Sequence, residues 1–168
     1  MPISDLTDDQ LENLHNNYRR MDRTGGGKYS LAEVLLERRR RLPSPFDTRE
    51  VAQRIIELSK KSEDNLLTYG QLWASFRPNT PWQGRHSQQV MSNTLERVIS
   101  YCIRNELPIL TVLVVQSAAR QLSPEAVARI CRECTELGVD TGVDALSFIN
   151  DQIDRSKRLV VENLPTEA

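Results

Sequence analysis

Histidine, cysteine and aromatic residues are all scarce in this chain, and each scarcity closes off a class of function. Two His and three Cys among 168 residues leave little material for a metal centre, since structural zinc takes four ligands. Cys131 and Cys134 have a metal-like Cys-x-x-Cys spacing, yet only Cys102, His15 and His86 remain to complete a set. Both cysteines also continue the apolar stripe Val127, Ile130, Leu137 of a helical segment. Free cysteine is among the most buried residue types, so the pair is predicted to be core, and neither metal nor cofactor is expected. An odd number of cysteines argues against a disulfide framework and fits a reducing compartment.

Long apolar runs are missing too. Nothing approaches the roughly 20 residues that a membrane helix needs, and MPISDLTDD lacks the basic-then-apolar layout of a signal peptide. A cytoplasmic protein with no membrane partner is expected. Catalytic signatures are absent as well. His15 and His86 are the natural bases, but no Gly-x-Ser-x-Gly nucleophile motif accompanies either. No Gly-x-x-x-x-Gly-Lys-Ser/Thr phosphate loop occurs, and Gly25-Gly26-Gly27 reads as a turn between helices. No enzymatic activity is expected. Strong charge of one sign is also lacking. The net charge is −1, divided as 17 Lys/Arg against 14 Asp/Glu up to residue 120 and 5 against 9 beyond it. Any nucleic-acid contact must therefore come from a local patch.

The chain does have helix starts in good supply. Thr7-Asp8-Asp9-Gln10 and Ser30-Leu31-Ala32-Glu33 are capping boxes. Their apolar stripes predict helices over 8–22 and from 31 to about 42, where Pro43 ends the second. Asp47, Thr68 and Ser123-Pro124 start three more, the last with Pro at its first helical position. A long helix is predicted over 87–104, with Val90, Met91, Leu95, Val98, Ile99 and Cys102 turned inward. Another is expected over 144–160. Against this pattern, Ile109 to Val115 is one apolar, uncharged run with four β-branched apolar residues, predicted as a strand over 109–116. A strand needs a partner, and the candidates are Leu66-Leu67 and Leu159-Val160-Val161. The fold class expected is mainly α with a small β ribbon. Its parts would be an N-terminal helical hairpin (1–45), a core (46–120) and a C-terminal helical pair (121–168), packed as one unit.

The order helix, short helix, long helix, apolar strand from Asp47 to Val115 is that of a winged helix-turn-helix, in which the third helix enters the major groove. The segment LLTYGQLW, followed by a helix and NELPILTVLVV, resembles the DNA-binding half of alkylguanine-DNA alkyltransferases and alkyltransferase-like proteins. Thr68-Tyr69-Gly70 matches that family's Ser/Thr-Tyr-Gly motif. Asn105, Leu107, Pro108 and Ile109 match its Asn-x-Leu-Pro-Ile run. The resemblance covers about residues 48–115 and departs at the decisive place. Where the family carries a Pro-Cys-His-Arg nucleophile, this chain has Val112-Leu113-Val114-Val115. The segment between the motifs is also longer, and Arg85 is the nearest counterpart of the family's base-displacing arginine. The resemblance implies DNA binding without alkyl transfer, with Tyr69 able to press on a base or phosphate.

Two readings of function follow. In the first, the chain is a non-enzymatic DNA-binding regulatory protein. Arg85, Gln88, Gln89 and Asn93 at the start of the long helix read base edges of double-stranded DNA, and a positive face joins Arg85 and Arg49 to the Arg38–Arg41 run. Against it, Ile109 to Ala119 carries no Lys or Arg. In the second, the chain is a protein-interaction module, a regulatory or inhibitory factor of a bacterium, plasmid or phage. The apolar strand would then pair with another chain, and the amphipathic terminal helices would allow a homodimer. The arginine run also has a plainer explanation in a helix C-terminus and a Glu37–Arg41 pair. Trp73 and Phe76 read as core, and Trp82, among prolines and Gly84, stays open between core and recognition.

Overall fold

Side-chain caps start five of the seven α-helices in the computed structural model, which describes residues 1–166. Thr7, Ser30 and Thr68 each close a reciprocal capping box on α1 (Asp8–Met21), α2 (Leu31–Arg40) and α4 (Tyr69–Phe76). Asp47 and Ser123 cap α3 (Thr48–Lys61) and α6 (Pro124–Glu136). The long helix α5 spans Gly84–Arg104, and α7 spans Ala145–Arg158. The start of α5 is three residues earlier than its spacing predicts. Ser87 serves there not as a cap but as a buried first-turn residue, its hydroxyl donating to the carbonyls of Gln83 and Gly84 at 2.7 and 3.2 Å.

The chain is mainly helical, with one small sheet. Two parallel strands, β1 (Leu67–Thr68) and β2 (Val114–Val115), pair Leu67 with Val114 and Thr68 with Val115. The strand expected over 109–116 is thus two residues long, preceded by a 3-10 turn at Leu110–Leu113. The reason lies in its partner. Thr68 is at once the end of β1 and the N-cap of α4, so the ladder has nothing further to pair with. Apolar burial survives the change of conformation: every residue from Ile109 to Val115 is buried. The other candidate partner, Leu159–Val161, is not in the sheet and leads into a 3-10 turn at Val161–Asn163.

Two clusters hold the molecule together. The main core is built from α3, α5 and the 110–113 turn, with Val51, Ile55, Leu67, Leu72, Val98, Cys102, Leu110 and Leu113 fully enclosed. Cys131, Cys134 and Ile149 bring α6 and α7 into it. A smaller cluster of Leu6, Leu11, Tyr18 and Val34 lies within the α1–α2 hairpin. That hairpin docks through α2 on α5, where the Ser100 hydroxyl donates to the Leu36 carbonyl at 2.8 Å. No described helix is long and apolar enough to cross a membrane.

Candidate ligand-binding pocket

Along α5, two rows of side chains four residues apart run side by side: Gln88, Ser92, Glu96 and Met91, Leu95, Ile99. At 1.5 Å per residue this ridge is roughly 16 Å long. Both rows line a cavity of about 450 Å³, completed by Leu122, Arg129, Ile130 and Glu133 and by Thr111 and Gln116 from the β2 segment. Tyr69 and Trp82 line it as well. The volume falls within the range of small-molecule sites.

The aromatic side of this cavity is fixed by the α4–α5 loop. Trp73 Nε1 donates to the Thr80 carbonyl at 2.8 Å, and the Trp82 ring sits 5.9 Å from that of Trp73. Tyr69 and Trp82 stack with centroids 6.3 Å apart and planes 14° from parallel. Gly70 eases this approach, because a Cβ there would lie 3.3 Å from Trp82 Cδ1, a tight contact. Trp82 is therefore neither wholly core nor free: it is half-buried on a cavity wall.

The polar side brings two carboxylates, Glu96 and Glu133, near two guanidinium groups, Arg39 and Arg129. Glu133 has Arg39 Nη1 and Arg129 Nε at 4.0 Å each. Glu96 has no hydrogen bond or ion pair among the described residues, and burial pushes its carboxyl above the usual range. Arg39 and Arg129 pull it down and Glu133 adds to the rise. The Thr111 hydroxyl is buried, with no hydrogen-bond partner. Arg39 Nη1 also lacks a hydrogen bond, but Arg39 is not on the cavity wall. A second and larger cleft, about 730 Å³, runs past His15, Arg19, Leu35 and Thr135. Its imidazole is already engaged, with Nδ1 of His15 2.8 Å from Arg38 Nη1. Burial and then Arg38 hold His15 below its ordinary pKa. The smaller cavity is the better candidate, because it sets an aromatic wall beside a half-buried carboxyl, Glu96, that makes no hydrogen bond among the described residues.

The sequence-predicted recognition residues disperse in three directions. Tyr69 and Gln88 lie on the cavity wall. Arg85 is exposed in the first turn of α5. Gln89 donates to Asn93 Oδ1 at 3.0 Å, and Asn93 donates to the Pro43 carbonyl at 3.2 Å, so both brace α5 against the α2–α3 connection. Arg49 donates to the Leu164 carbonyl at 3.3 and 3.2 Å, tying down the C-terminal segment. The arginine run is also spoken for. Arg40 and Arg41 converge on the buried Glu37 at 2.6 and 2.8 Å, Arg41 reaches Asp8, and Arg38 reaches Glu12. Glu12, Glu37 and Asp8 offset the charges of Arg38, Arg40 and Arg41, and Arg49 is turned to a backbone carbonyl. The strand edge expected for a partner chain is enclosed as well, with Val114 and Val115 0% and 1% exposed.

Glu96, Thr111, Arg129 and Glu133 escaped the reading of the sequence. One signal was present: Thr111 is the single polar residue within the apolar run 109–115. Cys131 and Cys134 are buried, as the stripe predicts. No group of three or more His, Cys, Asp or Glu is placed to hold a metal among the described residues. No protein-family model, curated protein or solved structure matches the chain.

Proposed function

We propose that this protein is a non-enzymatic regulatory module whose recognition site is the α5–α6 cavity and whose ligand is a small organic molecule. One observation carries the reading. A concave site of ligand size joins an aromatic wall, Tyr69 and Trp82, to a half-buried carboxyl, Glu96, whose proton affinity burial raises. A perturbed carboxyl in a cleft is a recognised mark of a binding site. The test is ligand-observed NMR on a mixed fragment set, with Ser92→Trp as control. Ser92 is exposed on the cavity rim, so Trp there fills the groove without disturbing the core. Fragments that bind the wild type should lose their signal in Ser92→Trp. A fragment set with no signal sensitive to the substitution overturns the reading.

A second reading is supported by the first turn of α5. That turn has no side-chain cap and leaves Arg85, His86, Gln88 and Gln89 exposed. An uncapped helix N-terminus with a free cation suits a phosphate. In this reading α3, α4 and α5 form a winged-helix-like core, the alkyltransferase-like resemblance reflects DNA binding, and occupancy of the cavity beside α5 tunes it. Arg85→Ala should weaken a low-salt mobility shift on duplex DNA. No shift at any protein concentration removes this reading and leaves the first intact.

A further inference from the structure

The larger cleft holds a bond that only one protonation state of its histidine can make. Arg38 of α2 reaches across to α1 and bridges two residues one turn apart. Its Nη2 donates to Glu12 Oε2 at 3.0 Å, and its Nη1 lies 2.8 Å from His15 Nδ1. A guanidinium has donors and no acceptor, and it keeps its charge at every ordinary pH. Nδ1 of His15 is therefore the acceptor, and the imidazole is neutral with its proton on Nε2. A second proton, on Nδ1, would set donor against donor and cation against cation. The charges around the ring do not reverse this preference. Burial and then Arg38 disfavour the imidazolium, Glu12 favours it, and Arg19 disfavours it again, with the balance below the ordinary 6.5. From α6 and the turn after it the cleft receives Thr135, Glu136 and Gly138, of which Glu136 alone is charged.

What this bond holds is separable from the rest of the fold. Helix α1 packs principally on α2, through the small cluster of Leu6, Leu11, Tyr18 and Val34. A segment with so little enclosed apolar surface opens at far less cost than a main core. Helix α1 also supplies His15 and Arg19 to the cleft wall, and α2 supplies Leu31 and Leu35. We propose that His15 is a pH-operated switch on the α1–α2 hairpin: neutral, it accepts from Arg38 and holds α1 down, and protonated, it expels Arg38 and lets α1 lift from Leu31 and Val34. The docked state favours the neutral ring, and the lifted state titrates near 6.5. Docking is thus complete above 6.5 and weakens as pH falls through 6.5 towards the lower docked-state value. The switch is independent of the α5–α6 cavity.

Hydrogen exchange of the α1 amides from Glu12 to Arg19, corrected for intrinsic rates, tests this with the α3 amides as reference. From pH 7.5 to 5.5 the α1 opening constant should rise severalfold, to a ceiling of about tenfold for a group titrating near 6.5. The α3 constant should change less. His15→Gln keeps an acceptor for Arg38 and removes the titrating ring, so its α1 opening should be flat over the same interval. Arg38→Met should be more open at pH 7.5 and respond less to acid, and His86→Gln should behave as the wild type. The 15N shifts of His15 should report a proton on Nε2 at pH 7.5. An α1 opening constant indifferent to pH, a rise that persists in His15→Gln, or a proton on Nδ1 of the neutral ring overturns the proposal. Should a variant lose its α3 protection, and so its fold, the wild-type exchange and tautomer decide.

Discussion

Glu37 illustrates how a residue that reads as part of a solvated helix end becomes a structural anchor. It is 4% exposed and accepts from Arg40 Nε and Nη2 and from Arg41 Nε at 2.6 to 2.9 Å. Burial pushes its carboxyl up, but the hydrogen bonds from Arg40 and Arg41 outweigh that and hold it below 4.5. Because the arginines are themselves 30% and 22% exposed, the cost of losing this centre is less than that of a fully buried pair. Glu37→Gln should lower the unfolding free energy by about 2 kcal/mol in urea at neutral pH. The sign with pH follows from the depressed value. The stabilisation is complete above 4.5 and is lost as pH falls through the lower folded-state value, so the gap between wild type and Glu37→Gln should close on acidification. A gap that is constant or widens below 4.5 would contradict this. The sequence pointed to the Glu37–Arg41 pair through its i, i+4 spacing. It did not reveal that Arg39 turns the opposite way, because neighbouring residues on a helix diverge by about 100° and only tertiary packing decides what each meets.

At the scale of elements, local rules were legible wherever one residue decides the outcome. Every side-chain cap seen in the fold can be read from its hydroxyl or carboxylate, and helix ends fell within a few residues of expectation. The ribbon was harder. Apolar β-branched residues from 109 to 115 correctly forecast burial, but conformation depends on how far the partner extends, and that partner is cut short by the cap of α4. A second feature was invisible in the sequence: Arg120, at φ 47°, returns from the β2–α6 connection to the turn before β1. Its guanidinium holds Asp64 in two hydrogen bonds of 2.8 Å and touches the Leu66 carbonyl at 3.2 Å. It thereby ties together the two chain segments that form the sheet, across 54 residues of sequence. The Arg120 hydrogen bond is the main reason the Asp64 carboxyl falls from 3.8 to about 2. A carboxyl-detected NMR titration should place the Asp64 midpoint near 2 in the wild type and clearly higher in Arg120→Ala. The same substitution should speed amide exchange at β1 and β2 relative to α3. An Asp64 midpoint unmoved by Arg120→Ala would remove this latch from the account of the ribbon.

At the scale of the whole molecule, the candidate site was the least legible feature, for a physical reason. Its walls come from α4, α5, the β2 segment and α6, which the sequence places up to 64 residues apart. Gln88 and Tyr69 were picked out for their chemistry as DNA contacts. The fold instead sets them on a cavity whose other polar members look, in sequence, like an amphipathic helix surface and one threonine in an apolar run.

The core carries a prediction of the opposite kind, in which the sequence already excludes chemistry. Cys102 and Cys134 are 0% exposed, and Cys131 is 8% exposed. Burial pushes the Cys102 and Cys134 thiols up to about 12 and raises Cys131 as well. The thiolate is the reactive form, so enclosure and raised proton affinity act together against modification. In the folded protein at pH 8, a disulfide reagent such as Ellman's should react with Cys131 slowly and with Cys102 and Cys134 only as fast as the core opens. In 6 M guanidinium all three should react at once. Because the two slow thiols lie in the same cluster as α3, α5 and α7, their rates should rise together with urea and match the global unfolding constant. A chelator should leave the unfolding midpoint unchanged. Rapid labelling of Cys102 or Cys134 under native conditions, or a midpoint lowered by the chelator, would show that the Cys-x-x-Cys spacing does more than pack α6 against the body of the protein.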